Sequence, residues 1–89
     1  MRNISITIIN KLGLHARASA KFVSTAARFQ SQLEVTKDHQ SINGKSIMGV
    51  MMLAAKQGSV LTLRITGPDE TEMETALVNL IQQRFFEEE

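Results

Sequence analysis

The chain has 89 residues, enough for one small domain with a radius of gyration of about 12 Å. Hydrophobic residues make up 43% and charged residues 21%, which excludes a disordered or collagen-like chain. Zero cysteines exclude a disulfide framework, a thiolate metal site and a thiol nucleophile. No apolar run approaches the roughly 18 residues of a membrane span, and Met1-Arg2-Asn3-Ile4-Ser5 has no signal-type apolar core. A cytoplasmic single domain spanning 1–89 is the expectation. The net charge of +1 hides an asymmetry: residues 1–68 carry nine Lys or Arg and two acids (+7), residues 69–89 one Arg and seven acids (−6). A basic body suits phosphate or an acidic partner, although a solvated surface explains the same charges.

In chain order, Ile4 to Ile8 alternates apolar and polar residues and is β-branched, which predicts a half-buried strand. Asn10-Lys11-Leu12-Gly13 breaks the pattern as a loop. From Ala16 to Phe29, Ala16, Ala20, Val23 and Ala27 with Phe22, Ala26 and Phe29 recur at helical spacing. Leu33 and Val35 alternate with polar neighbours in a second strand. Lys37-Asp38-His39-Gln40 is a turn, and Ser41-Ile42-Asn43 a short third strand ended by Gly44. Ser46 stands where it caps a short helix over 47–53, and Gly58 suits the left-handed residue that stops it. Val60 to Thr66 puts Leu61, Leu63 and Ile65 on one face of a fourth strand. After Gly67-Pro68, Asp69 with Glu72 fits an Asp-led capping box. The last helix carries Met73, Ala76, Leu77, Leu80, Ile81 and Phe85 on one stripe, and Glu87-Glu88-Glu89 reads as a frayed tail. The order βαββαβα makes an α+β two-layer sandwich: a four-stranded sheet, antiparallel or mixed, with helices on one face.

Two histidines could carry chemistry. His39 sits in a polar turn and reads as a solvated loop residue. His15 lies at the junction of a Gly-containing loop and the first helix, with Arg17 two residues on and Lys21 one turn further. A helix N-terminus offers unpaired N–H groups and partial positive charge, so it welcomes phosphate. The same positive end disfavours a cationic ring and keeps an imidazole neutral and nucleophilic. Gly13-Leu14-His15-Ala16-Arg17 therefore suits a histidine that accepts a phosphoryl group, with the helix amides and Arg17 on its oxygens. On these residues alone, a poor His N-cap beside a solvated Arg17 stays open.

Gly13-Leu14-His15-Ala16-Arg17, followed thirty residues later by Lys45-Ser46-Ile47-Met48-Gly49-Val50, resembles HPr. That is the histidine-containing phosphocarrier family of the bacterial phosphoenolpyruvate-dependent sugar phosphotransferase system. The resemblance covers nearly the whole chain. It implies an open-faced sandwich of four antiparallel strands under three helices, and a single phosphocarrier domain that is a substrate of other enzymes rather than an enzyme. It further implies that His15 takes a phosphoryl group from phospho-enzyme I, through Nδ1, and passes it to IIA components. Arg17 matches the family arginine beside the phosphohistidine, and the N–H groups of Ala16, Arg17 and Ala18 would face the phosphoryl oxygens. The family usually has proline where this chain has Ala18, which restores one backbone donor and loosens the helix start.

Ser46 is a helix cap in either reading. The resemblance adds regulatory phosphorylation there by HPr kinase/phosphorylase, which places negative charge beside an apolar patch. Ile47, Met48, Met51 and Met52 cannot all be buried by so short a helix, and adaptable exposed methionines suit several partners. The expected docking surface is Ile47, Met48 and Met51, with Lys21 and Lys45 on its rim.

Gly44-Lys45-Ser46 resembles the end of a P-loop, but His39 stands where that motif needs glycine. RNA reading through the sheet needs stacked aromatics, and the chain has four Phe and no Tyr or Trp. Nothing points to a metal, a cofactor, nucleic acid, membrane insertion or an obligate dimer, so a monomer is expected. The alternatives are a nitrogen-related phosphocarrier with regulatory partners, and an interaction module in which His15 stays unphosphorylated.

Overall fold

A computed structural model describes residues 1–87 of the chain, with a Cα radius of gyration of 11.5 Å. The elements are β1 (Arg2–Thr7), α1 (Ala16–Ala27), β2 (Gln32–Lys37), β3 (Gln40–Asn43), α2 (Ile47–Met52), β4 (Val60–Thr66) and α3 (Glu70–Gln82). The strands form one sheet in the order β1-β4-β2-β3, with every pair antiparallel. The mixed alternative is thereby removed, and the three helices cover one face. No helix among the described residues is long and apolar enough to cross a membrane.

Side-chain alternation and register together build the core. On β4, Leu61, Leu63 and Ile65 are fully buried. Ile4 and Ile6 of β1 stand opposite Leu63 and Leu61, while Leu33 and Val35 of β2 stand opposite Ile65 and Leu63. Phe22 of α1 and Met73 and Leu77 of α3 close this face and are themselves fully buried. One Leu, Phe or Met side chain removed from water in this way contributes about 1.5–3 kcal/mol. The exposed edge of α3 is also tied to the sheet, where the guanidinium of Arg2 pairs with the carboxylate of Glu74. Part of the acidic helix charge thus meets the basic body of the same chain.

Several expectations need correction. Helix α1 ends at Ala27 rather than Phe29, because the Arg28 and Phe29 amides turn back to Thr25 and Ala26, tightening its last turn. Its buried side is Ala18, Ser19, Phe22, Val23 and Ala26, while Ala16 and Ala27 are exposed. Ser19 can be buried because its hydroxyl donates to the Leu14 carbonyl at 3.1 Å. Gly58 does not stop α2. That helix ends at Met52, Ala54 takes the left-handed conformation, and Gly58 lies in the turn before β4 with its amide on the Ile8 carbonyl.

Asp69 does not cap α3 with its side chain. Its carboxylate instead accepts from the hydroxyl of Ser31 at 2.5 Å and from the amides of Gln30 and Ser31, each at 2.9 Å. These donors hold its carboxyl below the usual aspartate range, the Ser31 hydroxyl most of all and the Gln30 amide next. Phe85 belongs to the core but not to α3. It is carried there by a left-handed turn over Arg84, Phe85 and Phe86, with φ of 55°, 56° and 59°. Of the acidic tail, Glu87 is packed against the body rather than frayed, and Glu88 and Glu89 lie outside the described residues.

Candidate functional site

The site starts in the loop between β1 and α1. Asn10 is buried and holds the loop at both ends, accepting from the Gly13 amide through its own carbonyl at 3.2 Å and donating from its side chain to the Gly13 carbonyl at 2.9 Å. Gly13 has φ of +68°, and a Cβ there would lie 2.5 Å from the Ala55 carbonyl oxygen. Only glycine lets the loop run this close to the segment behind α2. The next amide, that of Leu14, donates to the same Ala55 oxygen at 2.8 Å, and the Leu14 side chain is buried. His15 follows immediately from this anchored pair.

His15 is the N-cap residue of α1, in extended conformation, and its own side chain does not cap the helix. The first bond inside the helix runs from the Ser19 amide to the His15 carbonyl at 2.8 Å. The amides of Ala16, Arg17 and Ala18 precede it and belong to the unpaired first turn. Ala18 buries its methyl group, whereas Ala16 and Arg17 are exposed. Among the described residues no hydrogen bond or ion pair holds the Arg17 guanidinium. An imidazole, three helix-start amides and an arginine side chain therefore follow one another at the start of α1, an arrangement that suits an anionic group.

The imidazole side chain keeps 29% of its surface. Its Nε2 meets one carboxylate oxygen of Glu87, and the other accepts from the Asn10 side chain at 3.0 Å. Nδ1 has no hydrogen-bond partner among the described residues. Asn10 and Glu87 belong to the site yet carry no signal in the sequence: Asn10 reads as an ordinary loop residue and Glu87 as tail. Only the left-handed turn at 84–86 brings the carboxylate across to the ring.

Ser46 is confirmed as the N-cap of α2, its hydroxyl accepting from the Gly49 amide at 3.0 Å. Beyond it, Ile47, Met48, Met51 and Met52 are all exposed, and only Val50 of that helix is buried. Lys21 donates to the Phe85 carbonyl at 2.6 Å and Lys45 to the Phe29 carbonyl at 2.7 Å. Both ammonium groups are thus engaged within the chain. His39 is exposed in the β2–β3 turn.

The chain is similar to known proteins over nearly its whole length. A family model described as the PTS HPr component phosphorylation site matches residues 3–83. The phosphocarrier protein HPr of Neisseria meningitidis serogroup B is 58% identical over 85 residues, covering 96% of each chain. That of Pseudomonas aeruginosa is 54% identical and covers the whole of both. Among solved structures, an HPr of Thermoanaerobacter tengcongensis superposes with a TM-score of 0.95 at 50% identity, covering 100% of each chain.

Proposed function

The chain belongs to the HPr family of phosphotransferase-system phosphocarriers, and from that premise we propose that His15 is the residue that carries the phosphoryl group. A phosphocarrier is passed between enzymes and is not itself the catalyst. Its partners are components of the phosphotransferase system such as enzyme I and IIA proteins. The observation that supports His15 is its place as N-cap of α1, half-exposed, directly before the unpaired amides of Ala16, Arg17 and Ala18.

In this reading phospho-enzyme I presents phosphorus to Nδ1, since Nε2 already faces the Glu87 carboxylate. The three amides and Arg17 bind the phosphoryl oxygens, and Arg17 moves with them as the group changes hands. The docking surface is the exposed apolar side of α2, Ile47, Met48 and Met51, with Lys21 and Lys45 at its rim. Methionine side chains adapt to several partners without a fixed shape. Phosphorylation of Ser46 by an HPr kinase/phosphorylase would keep the helix capped while setting negative charge beside that surface. Residues 1–89 act as one phosphocarrier domain and as a monomer.

Intact mass after incubation with phosphoenolpyruvate and enzyme I tests the acceptor. Wild type should gain one acid-labile phosphoryl group and His15→Ala none. An equal gain by His15→Ala would assign the group to another residue.

A further inference from the structure

We infer that Glu87 is a positioning residue for phosphoryl transfer: its carboxylate, held by Asn10, keeps the ring proton of His15 on Nε2 and so presents Nδ1 as the nucleophile. The inference rests on the reading of His15 as the acceptor. Both oxygens of the Glu87 carboxylate are engaged, one by His15 Nε2 and the other by the Asn10 side-chain amide. The Glu87 side chain keeps only 13% of its surface.

The orientation of Asn10 is fixed by its surroundings. Its side-chain nitrogen faces two acceptors, the Gly13 carbonyl and Glu87, while its oxygen is buried with no partner among the described residues. Reversing the amide would set an oxygen against two oxygens and strand two N–H donors. Asn10 is therefore a donor to Glu87, which leaves Glu87 an acceptor. A carboxylate that accepts from Asn10 also accepts from the imidazole, so Nε2 carries the hydrogen and Nδ1 the lone pair.

The backbone that delivers Glu87 is held for the purpose. Arg84, Phe85 and Phe86 are three consecutive non-glycine residues at positive φ, a conformation that bulky side chains avoid. It persists because Phe85 is fully buried and because the Lys21 ammonium grips the Phe85 carbonyl at 2.6 Å. An extended or right-handed path from Gln83 would send Glu87 elsewhere. Lys21 thus acts on the site through the turn.

During transfer the Nδ1 lone pair forms the bond to phosphorus. The bond from phosphorus to the donor breaks, and its electron pair leaves with the donor atom. The hydrogen stays on Nε2, so the ring becomes a phosphoryl-imidazolium cation. The positive charge then lies against the Glu87 carboxylate, a charge-assisted contact that is stronger after transfer than before it.

The test uses the full chain with Glu87→Ala and Glu87→Gln. Nitrogen-15 chemical shifts of the His15 ring, recorded where the ring is neutral, read the tautomer directly. Wild type and Glu87→Gln, whose amide oxygen still accepts, should show the Nε2–H form, and Glu87→Ala a mixture of both tautomers. With enzyme I and phosphoenolpyruvate, Glu87→Ala should lose about ten-fold in transfer rate at saturation, the scale of one charge-assisted hydrogen bond. Its KM as a substrate of enzyme I should move by less than about two-fold, because the interaction strengthens only in the transition state. Glu87→Gln should recover part of that rate. An unchanged tautomer in Glu87→Ala, or transfer at or above the wild-type rate, would overturn the inference. Those results with a phosphoryl group still found on His15 would sink the role of Glu87 alone, whereas phosphorylation of His15→Ala would sink the reading beneath it.

Discussion

The Leu14 amide and the Ala55 carbonyl are joined by a 2.8 Å hydrogen bond, and this bond sets how the chain arrives at His15. The same oxygen would lie 2.5 Å from a Cβ on Gly13, and the Lys56 Cα 2.7 Å from it. Both obstacles are backbone and cannot swing aside. Gly13→Ala should therefore cost about 2–3 kcal/mol, from a left-handed φ and a displaced loop together. Urea unfolding measures the loss, and phosphoryl transfer should fall with it because His15 moves. A variant with the wild-type midpoint would mean that the loop does not need this approach.

Ala18→Pro tests the position where the family resemblance leads one to expect proline. Position 18 lies in the first turn of α1, where its N–H is not used inside the helix, so proline is compatible with the fold. Fewer unfolded conformations should raise stability by about 0.4–1 kcal/mol. One donor to the phosphoryl group disappears, so the transfer equilibrium with enzyme I should shift against the carrier. Unchanged equilibrium and kinetics would show that the Ala18 amide plays no part.

Ser46 can be separated into its two roles. Ser46→Ala removes the acceptor for the Gly49 amide and should cost about 1 kcal/mol in thermal or urea unfolding. Ser46→Asp keeps an acceptor at the cap and should stay near wild-type stability, while its added charge weakens docking to enzyme I. Equal affinity of Ser46→Asp and wild type would remove the electrostatic account of regulation.

Met48 leaves 70% of its surface exposed, so it contributes little to the core. Met48→Ala should change the unfolding free energy by no more than about 0.5 kcal/mol. It should nevertheless raise the KM of the carrier for enzyme I several-fold, leaving the rate at saturation intact. A changed rate with unchanged KM would place Met48 outside the docking surface.

The Asp69–Ser31 lock makes stability depend on pH. The folded carboxyl titrates below its free value of about 3.8, held down first by the Ser31 hydroxyl and then by the Gln30 amide. A depressed folded value adds stability above the unfolded value, and that stability is lost as pH falls through the lower folded value. The advantage of wild type over Asp69→Asn should thus be constant near neutral pH and shrink in acid below about 4. Urea midpoints for both proteins at neutral and acid pH check this, and an advantage independent of pH would contradict it.

How far the sequence could be read follows from the range of each interaction. The site motif was legible because His15, Arg17 and the helix start are neighbours along the chain, and Ser46 because its cap reaches only to Gly49. The strands were legible because alternation at Leu61, Leu63 and Ile65 is local and strong. Asp69 was misread for the opposite reason: a local capping pattern lost to donors 38 and 39 positions away. Gly58 was misread because Ala54 took the left-handed position despite its side chain. Glu87 was misread as frayed tail, since its path requires Arg84, Phe85 and Phe86 to adopt a conformation that their residue types disfavour. Burial of Phe85 overrides that preference, and burial is not local.

If Glu87 orients the ring as inferred, phosphorus bonds to Nδ1 of His15 while Nε2 keeps its hydrogen. Nitrogen-15 and phosphorus-31 NMR of labelled protein, phosphorylated by enzyme I and phosphoenolpyruvate, measures both at once. The account predicts phosphorus coupling to Nδ1 of His15 and a protonated Nε2. Coupling to Nε2, or phosphorus bonded to any other residue, would contradict it.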